Sequence, residues 1–592
     1  MATLLPTSAR ADQSPARIPG AVECPAIMPL SAVQEGMTGQ GLTVVRGATP
    51  QPFNVEVLGI LDDGIGAGRD MIVIEASDVT DGHVIDQGGG IWAGMSGSPV
   101  YVDGQLLGAV SYGFTASPSP IGGLTPAADM AKLLTPSDAK KQSASAQGRA
   151  TVTLSPQMRQ QIDARATQAA PTSLQRLPLP LAVSGLGSTR LARFQSEATA
   201  AGLPVIAHAG GGRAAPSATA PMARPEAGGN FAAALSYGDL TAAGMGTTTA
   251  VCGTQALAWG HPFTFGGPAT YGANHGSSLA IVKDETFGAF KLGNITEPFG
   301  VVDQDRLAAL HAKLGVTPTT TPISVRIRNL NPPRSRTGVT QVVDPQYLAG
   351  ITPFAVLTNY DSTFDEIGDG RATSAWTIQG TRRGGKAFSV SRGNRWASRF
   401  DVAVDPAFDL GLAVDAIVNN EFEAVKVQQI TFDSLVSTAY GQLSLADLAV
   451  SVNGGKFTKP SVLRVKPGAK LRLRATLRPY QSGSTSTALL NLTVPKNARG
   501  KSGSLSVTGG LSLAGGGGEE EEEGCLFTPS GCGSQAQSLD GVIKGLLSAP
   551  RNDDVVASLA LESEEGAVST TTAKNRQSSV VSGARSIAVV VQ

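Results

Sequence analysis

From about Cys24 the chain alternates short apolar runs with turn residues, and it reads as strands near 42–45, 53–61, 71–75, 100–102 and 106–111. The last two flank Asp103-Gly104, a pair suited to the positive φ angles of a tight type I′ hairpin turn. Thr125-Pro126, with Asp129 in the first turn, combines an N-cap with an N1 proline and predicts a helix through about Leu134. Ser155-Pro156 repeats that signal for a helix through about Thr167, after a Ser/Ala/Gln-rich linker at 137–149. Strands resume at Leu174, are interrupted by a Gly/Ala/Pro-rich loop at 210–229, and continue to about Val343. In 470–478 apolar residues take every second position, the mark of a half-buried antiparallel strand whose basic side faces water. Ser538 caps a short amphipathic helix containing Val542, Ile543, Leu546 and Leu547, and 586–591 reads as a closing strand.

These patterns divide the chain into a disordered leader or signal remnant (1–23), a first β unit (24–135), a linker with a helix (136–173) and a second β unit (174–343). A mixed β region (344–446) and a β-sandwich-like module (447–592) follow, the module carrying a Gly/Glu-rich insertion at 514–536. Composition agrees with a mainly β chain: 71 Gly and 36 Pro among 592 residues supply many turns, and no glycine period or heptad points to collagen or coiled coil. Lys plus Arg and Asp plus Glu are 47 each, so no global field recruits nucleic acid or an anionic membrane. No apolar run is long enough for a transmembrane helix, which points to a soluble mature chain. Ala9-Arg10-Ala11 has the form of an export cleavage site with too little chain ahead of it, so the leader is either the tail of a signal peptide or an Ala-rich segment. Of the four cysteines, Cys525 and Cys532 could close a small ring, Cys24 and Cys252 are isolated in sequence, and none has the spacing of a zinc site. The run 519–523 of five glutamates repels itself too strongly to be packed and reads as a solvated insertion.

The sharpest chemical signal is Gly94-Met95-Ser96-Gly97-Ser98-Pro99, directly before the hairpin. Serine becomes a nucleophile only with an adjacent base, and the carbonyl it attacks needs N–H donors aimed at the developing negative charge. Small flanking residues let the backbone turn so that the N–H groups of Gly94 and Ser96 face one point, although a glycine-rich connecting turn would look the same.

This motif, the hairpin Tyr101-Val102-Asp103-Gly104-Gln105-Leu106-Leu107-Gly108-Ala109, and Gly123-Leu124-Thr125-Pro126 with Met130 resemble the nucleophile region of the SpoIVB peptidase family. The resemblance implies a chymotrypsin-like double β-barrel serine endopeptidase with Ser96 as nucleophile and Gly94 in the oxyanion hole. Downstream, Gly244-Met245-Gly246-Thr247-Thr248-Thr249 leading to Ala258-Trp259-Gly260-His261 is similar to the family's strand before its catalytic histidine, and similarity continues loosely through Phe290-Lys291 to Asp305. It implies that His261 is the general base. The family places histidine before serine, whereas here Ser96 comes first, so the two halves read as circularly permuted. Asp78 lies where the family has its aspartate and would orient His261; Asp81 is the nearest rival.

Other residues carry weaker signals. His83 could serve as base but lacks the preceding strand motif and reads as solvated; His275 reads as a turn residue, and His208 and His311 carry no motif. Asp361, Asp365, Glu366 and Asp369 lack the spacing of a calcium loop. The expected protein is an exported serine endopeptidase, secreted or in the cell envelope, that cleaves a polypeptide or its own chain through Ser96, His261 and Asp78 with no metal or organic cofactor. The alternative is a non-catalytic protease-like scaffold or binding protein of the envelope. The two separate on whether Ser96 and His261 meet.

Overall fold

The computed structural model describes residues 23–114, 119–135, 149–165, 172–212, 222–514, 536–562 and 568–592. The leader, the glutamate run, Cys525 and Cys532 lie outside these residues. Two compact units emerge, one of residues 1–320 with 340–347 and one of 321–339 with 348–592.

The first unit begins with six strands: β1 Thr38–Thr43, β2 Gln51–Gly66, β3 Arg69–Asp78, β4 Pro99–Val102, β5 Gln105–Gly113 and β6 Ile121–Pro126. They pair antiparallel in the order β4-β1-β2-β3-β6-β5, and β5 closes the ring on β4. Closure removes the exposed edges that an open sheet would present. Phe53, Val57, Ile72, Ile74, Val110 and Leu124 share its buried core. The β4–β5 turn forms as its sequence demands, with Asp103 and Gly104 at φ 50° and 75°. Thr125 departs from expectation. It stays in β6 and donates its hydroxyl to the carbonyl of Gly260 instead of capping a helix, so the helix is only Ala127–Ala131 and ends in a 3₁₀ turn at Lys132–Leu134. Ser155 does cap the helix Pro156–Arg165, accepting from Met158 N–H.

After β7 Thr151–Thr153, β8 Ser173–Arg176, β9 Leu179–Ser184 and β10 Val205–Ala209 comes a second ring. Its strands are β11 Asn230–Gly238, β12 Thr241–Cys252, β13 Gln255–Ala258, β14 Gly267–Asp284, β15 Gly288–Arg306 and β16 Ala309–Leu314. They pair antiparallel as β12-β13-β16-β15-β14-β11, and β11 closes on β12. The core is therefore a double β-barrel with the serine motif on the first barrel and the histidine motif on the second, the permuted order that the sequence implied.

In the second unit, β17 Thr321–Leu330 runs parallel to Val425–Ser437, which pairs antiparallel with Gly370–Arg382 and that in turn with Ala387–Ser398. The helices Leu348–Phe364 and Val404–Val418 pack together beside it. The acidic residues Asp361, Asp365, Glu366 and Asp369 sit at the end of the first helix and in the turn after it. The described residues between 443 and 591 make a four-stranded and a five-stranded sheet around one core of Leu445, Leu473, Leu490, Leu505, Leu559 and Val589. Lys470–Pro479 alternates exposed and buried positions as its pattern dictates, and Ser538 accepts from Gly541 N–H at the head of the helix Leu539–Ser548. Among the described residues no helix is long and apolar enough to cross a membrane.

Cys24 and Cys252, unremarked by their spacing, form a disulfide that spans 228 residues and ties the segment before β1 to the end of β12. A loop that long restricts the unfolded chain strongly, so Cys252→Ser should lower stability by about 2–4 kcal/mol. Urea unfolding of the variant against the oxidised parent checks this, and dithiothreitol should bring the parent down to the variant's midpoint.

Candidate active site

Ser96 sits in the turn between the short helix α1 Val84–Gly88 and β4. Gly94 and Gly97 have φ 104° and 93°, a region that favours glycine. Space imposes the same choice at Gly97, where a Cβ would lie 2.1 Å from the carbonyl oxygen of Thr247. The second barrel clasps this turn: Thr247 N–H donates to Ser96 O (2.8 Å), Thr247 Oγ1 to Gly94 O (3.0 Å) and Thr249 Oγ1 to Gly97 O (2.8 Å).

The same clasp sets the histidine. Trp259 N–H donates to Thr247 O, Trp259 Nε1–H donates to Phe231 O, and the carbonyl of Gly260 takes the Thr125 hydroxyl at 2.5 Å. Held from both barrels, His261 places Nε2 2.8 Å from Ser96 Oγ. Its Nδ1 lies 2.8 Å from the carbonyl oxygen of Pro262, so that nitrogen carries the proton and Nε2 is left as the acceptor. Ser96 is fully buried and His261 is 1% exposed. Burial, with added repulsion from the Arg176 guanidinium, pulls the imidazole pKa down to about 3 against the opposing pull of the Pro262 carbonyl. The imidazole is therefore neutral across the physiological range, as a general base must be before it accepts a proton.

Asp78 does not join them. Its two carboxylate oxygens accept from the N–H groups of Ile85 (2.8 Å) and Asp86 (3.0 Å), which makes it the anchor of α1. An aspartate at a strand end before a short helix satisfies that helix's free donors, and both of its oxygens are thereby committed. Asp81 is exposed in the turn at φ 61°, and His83 is exposed at the start of α1. His275 bonds the carbonyl of Ala223, His208 packs on Phe290, and His311 is tied to Asp303 and Gln255. Among the described residues, the histidine's two nitrogens meet only Ser96 and the Pro262 carbonyl.

Two groups that lay within the family-like stretch but were given no role complete the site. Asp305, fully buried at the end of β15, accepts from the N–H groups of Phe263 and Thr264 (2.8 Å each) and from the Tyr271 hydroxyl (3.2 Å), fixing the turn that follows His261. Burial raises its pKa despite those donors. Lys291 on β15 is fully buried; its N–H donates to Ala93 O, its Nζ to Asn230 Oδ1 (2.9 Å), and its Nζ lies 5.4 Å from the Trp92 ring centroid. A Cβ on Gly94 would come within 2.7 Å of Lys291 Cβ, so this stem lines the serine turn. The available signal was a lysine in an otherwise apolar strand stretch, Phe290 to Leu292.

Burial pulls the Lys291 ammonium down to about 7, far below its ordinary 10.5. The folded state thus favours the neutral amine, and the associated stability is present above about pH 10.5 and is lost as pH falls toward 7. Lys291→Met should raise stability at pH 6 by at least about 1 kcal/mol and flatten the rise between pH 7 and 10. Thermal unfolding of both forms across that range checks it.

Residues 21–124 match the family model SpoIVB peptidase S55. The match contains Ser96 and Asp78 and ends before His261. The chain matches no curated protein and no solved structure.

Proposed function

We propose that this chain, a serine peptidase of the SpoIVB type whose substrates are polypeptides, uses Ser96 and His261 as nucleophile and general base. The observation that carries the reading is the 2.8 Å contact of Ser96 Oγ with His261 Nε2 across two barrels. Ser96 attacks the peptide carbonyl while His261 takes its proton and then delivers it to the leaving amine. The Pro262 carbonyl holds the tautomer, the part usually given to a carboxylate. The N–H groups of Gly94 and Ser96 bind the oxyanion. In support, the neighbouring N–H groups of Ala93, Met95, Gly97 and Ser98 all have backbone acceptors, while among the described residues those of Gly94 and Ser96 have none.

The enzyme acts outside the cytoplasm, in the envelope or secreted, on another protein or on one of its own linkers. The Cys24–Cys252 disulfide supports that location, since such bonds persist in oxidising compartments. A fluorophosphonate that forms a covalent bond with an activated serine tests the site. Labelling should vanish in Ser96→Ala, fall about 100-fold or more in His261→Ala, and persist in Asp78→Asn, which should cost only about 1 kcal/mol of stability. Labelling lost equally in a folded Asp78→Asn protein would return that aspartate to the catalytic group.

A further inference from the structure

The ladder between β4 and β5 ends at the Ser96 turn: Pro99 pairs with Ala109, then Gly97 N–H donates to Val110 O and Val110 N–H to Ser98 O. Beyond that point Ser111, Tyr112 and Gly113 continue β5 with nothing from β4 beside them, leaving a strand edge in line with the nucleophile. Such an edge takes an extended peptide by main-chain hydrogen bonds. It is already occupied by the chain itself. Gln175 pairs with Gly113 and Arg176 with Tyr112, both antiparallel, and Leu177 N–H donates to Ser111 O at 3.0 Å.

The side chains follow the same register. Leu177 is 2% exposed and, with Pro178, borders a small cleft whose other walls include Ile91, Trp92 and Ala93, the residues leading into the Ser96 turn. A Cβ on Gly113 would lie 3.1 Å from Leu177 Cδ2 and 3.2 Å from Ile91 Cγ2, so the leucine packs closely over Gly113 and beside Ile91. Arg176, one residue earlier, lies close enough to His261 to oppose its protonation. The next peptide nitrogen belongs to Pro178, whose ring adds bulk on the leaving-group side of the bond after Leu177. Among the described residues, neither Gly94 N–H nor Ser96 N–H donates to the Leu177 carbonyl, so the bond after Leu177 is not seated for attack.

We propose that residues 173–178 are a built-in occluding strand that fills the substrate edge of β5 and walls the apolar cleft next to the residues leading into the Ser96 turn. The proposal rests on the peptidase reading and deepens it. Substrates then dock as an extended strand on Ser111–Gly113 with a leucine-sized apolar side chain ahead of the cleaved bond, and they must first displace this segment.

The test uses the full chain with Leu177→Glu, which drives a carboxylate into the apolar cleft and ejects the strand, and with the milder Leu177→Ala, both first shown to be folded by thermal melting. Two readouts are independent. Fluorophosphonate labelling of Ser96 should be slow in the parent and about tenfold or more faster in Leu177→Glu, with Leu177→Ala between them, since the reactive fraction scales with release. In a Ser96→Ala background, a fluorescent peptide Ser-Leu-Gln-Arg-Leu, the sequence of residues 173–177, should be captured by the Leu177→Glu form and not by the parent. Labelling at the parent's rate in both variants, or equal peptide capture with and without Leu177→Glu, overturns the occluding strand. Peptide capture as expected with no labelling in any form upholds the strand and overturns Ser96 as nucleophile.

Discussion

Thr247 and Thr249 reach from one barrel to the carbonyls of Gly94 and Gly97 on the other, and the site depends on that clasp. Ser96 and His261 are 165 residues apart in the chain and belong to separately closed rings. Neither ring alone fixes the position of the other's side chain. The clasp does so with backbone acceptors, so the serine turn is held without using Ser96 Oγ or the N–H groups of Gly94 and Ser96. Buried threonine hydroxyls satisfy those carbonyls inside the protein, where an unpaired acceptor would cost about 1–3 kcal/mol. The geometry is also indifferent to chain order. A nucleophile and base are defined by where their atoms meet, and exchanging the order of the two barrels leaves the meeting point intact.

Much of this was legible in the sequence, and the parts that were not share a cause. Asp103-Gly104 announces its hairpin because only a few residue pairs adopt those φ angles. Ser96 and His261 are marked by glycines and threonines that the turn and the clasp require locally. Asp78 misled because an aspartate after a strand serves equally well as a helix anchor or as a triad acid, and only the position of the imidazole decides between them. Asp305 and Lys291 act through partners far away in sequence, Phe263 in one case and Asn230 in the other, so the stretch that holds them can mark them but cannot give their roles. Leu177 is the extreme case. Its segment reads as an ordinary short strand, and its meaning comes entirely from lying beside Ser111.

The electrostatics of the closed site point the same way as its sterics. A carboxylate on Nδ1 would stabilise the imidazolium that forms during acyl transfer, whereas the Pro262 carbonyl offers only a dipole. Desolvation and the Arg176 charge both oppose that imidazolium, which is why the ring's pKa sits near 3. In this state the imidazole lies against Ser96 Oγ but holds a proton only weakly. If residues 173–178 leave, Arg176 departs with them and water reaches His261. Both opposing terms then shrink together, and the imidazole moves back toward its ordinary basicity. Under the occluding-strand proposal, opening the substrate edge and strengthening the imidazole as a base are two consequences of one displacement.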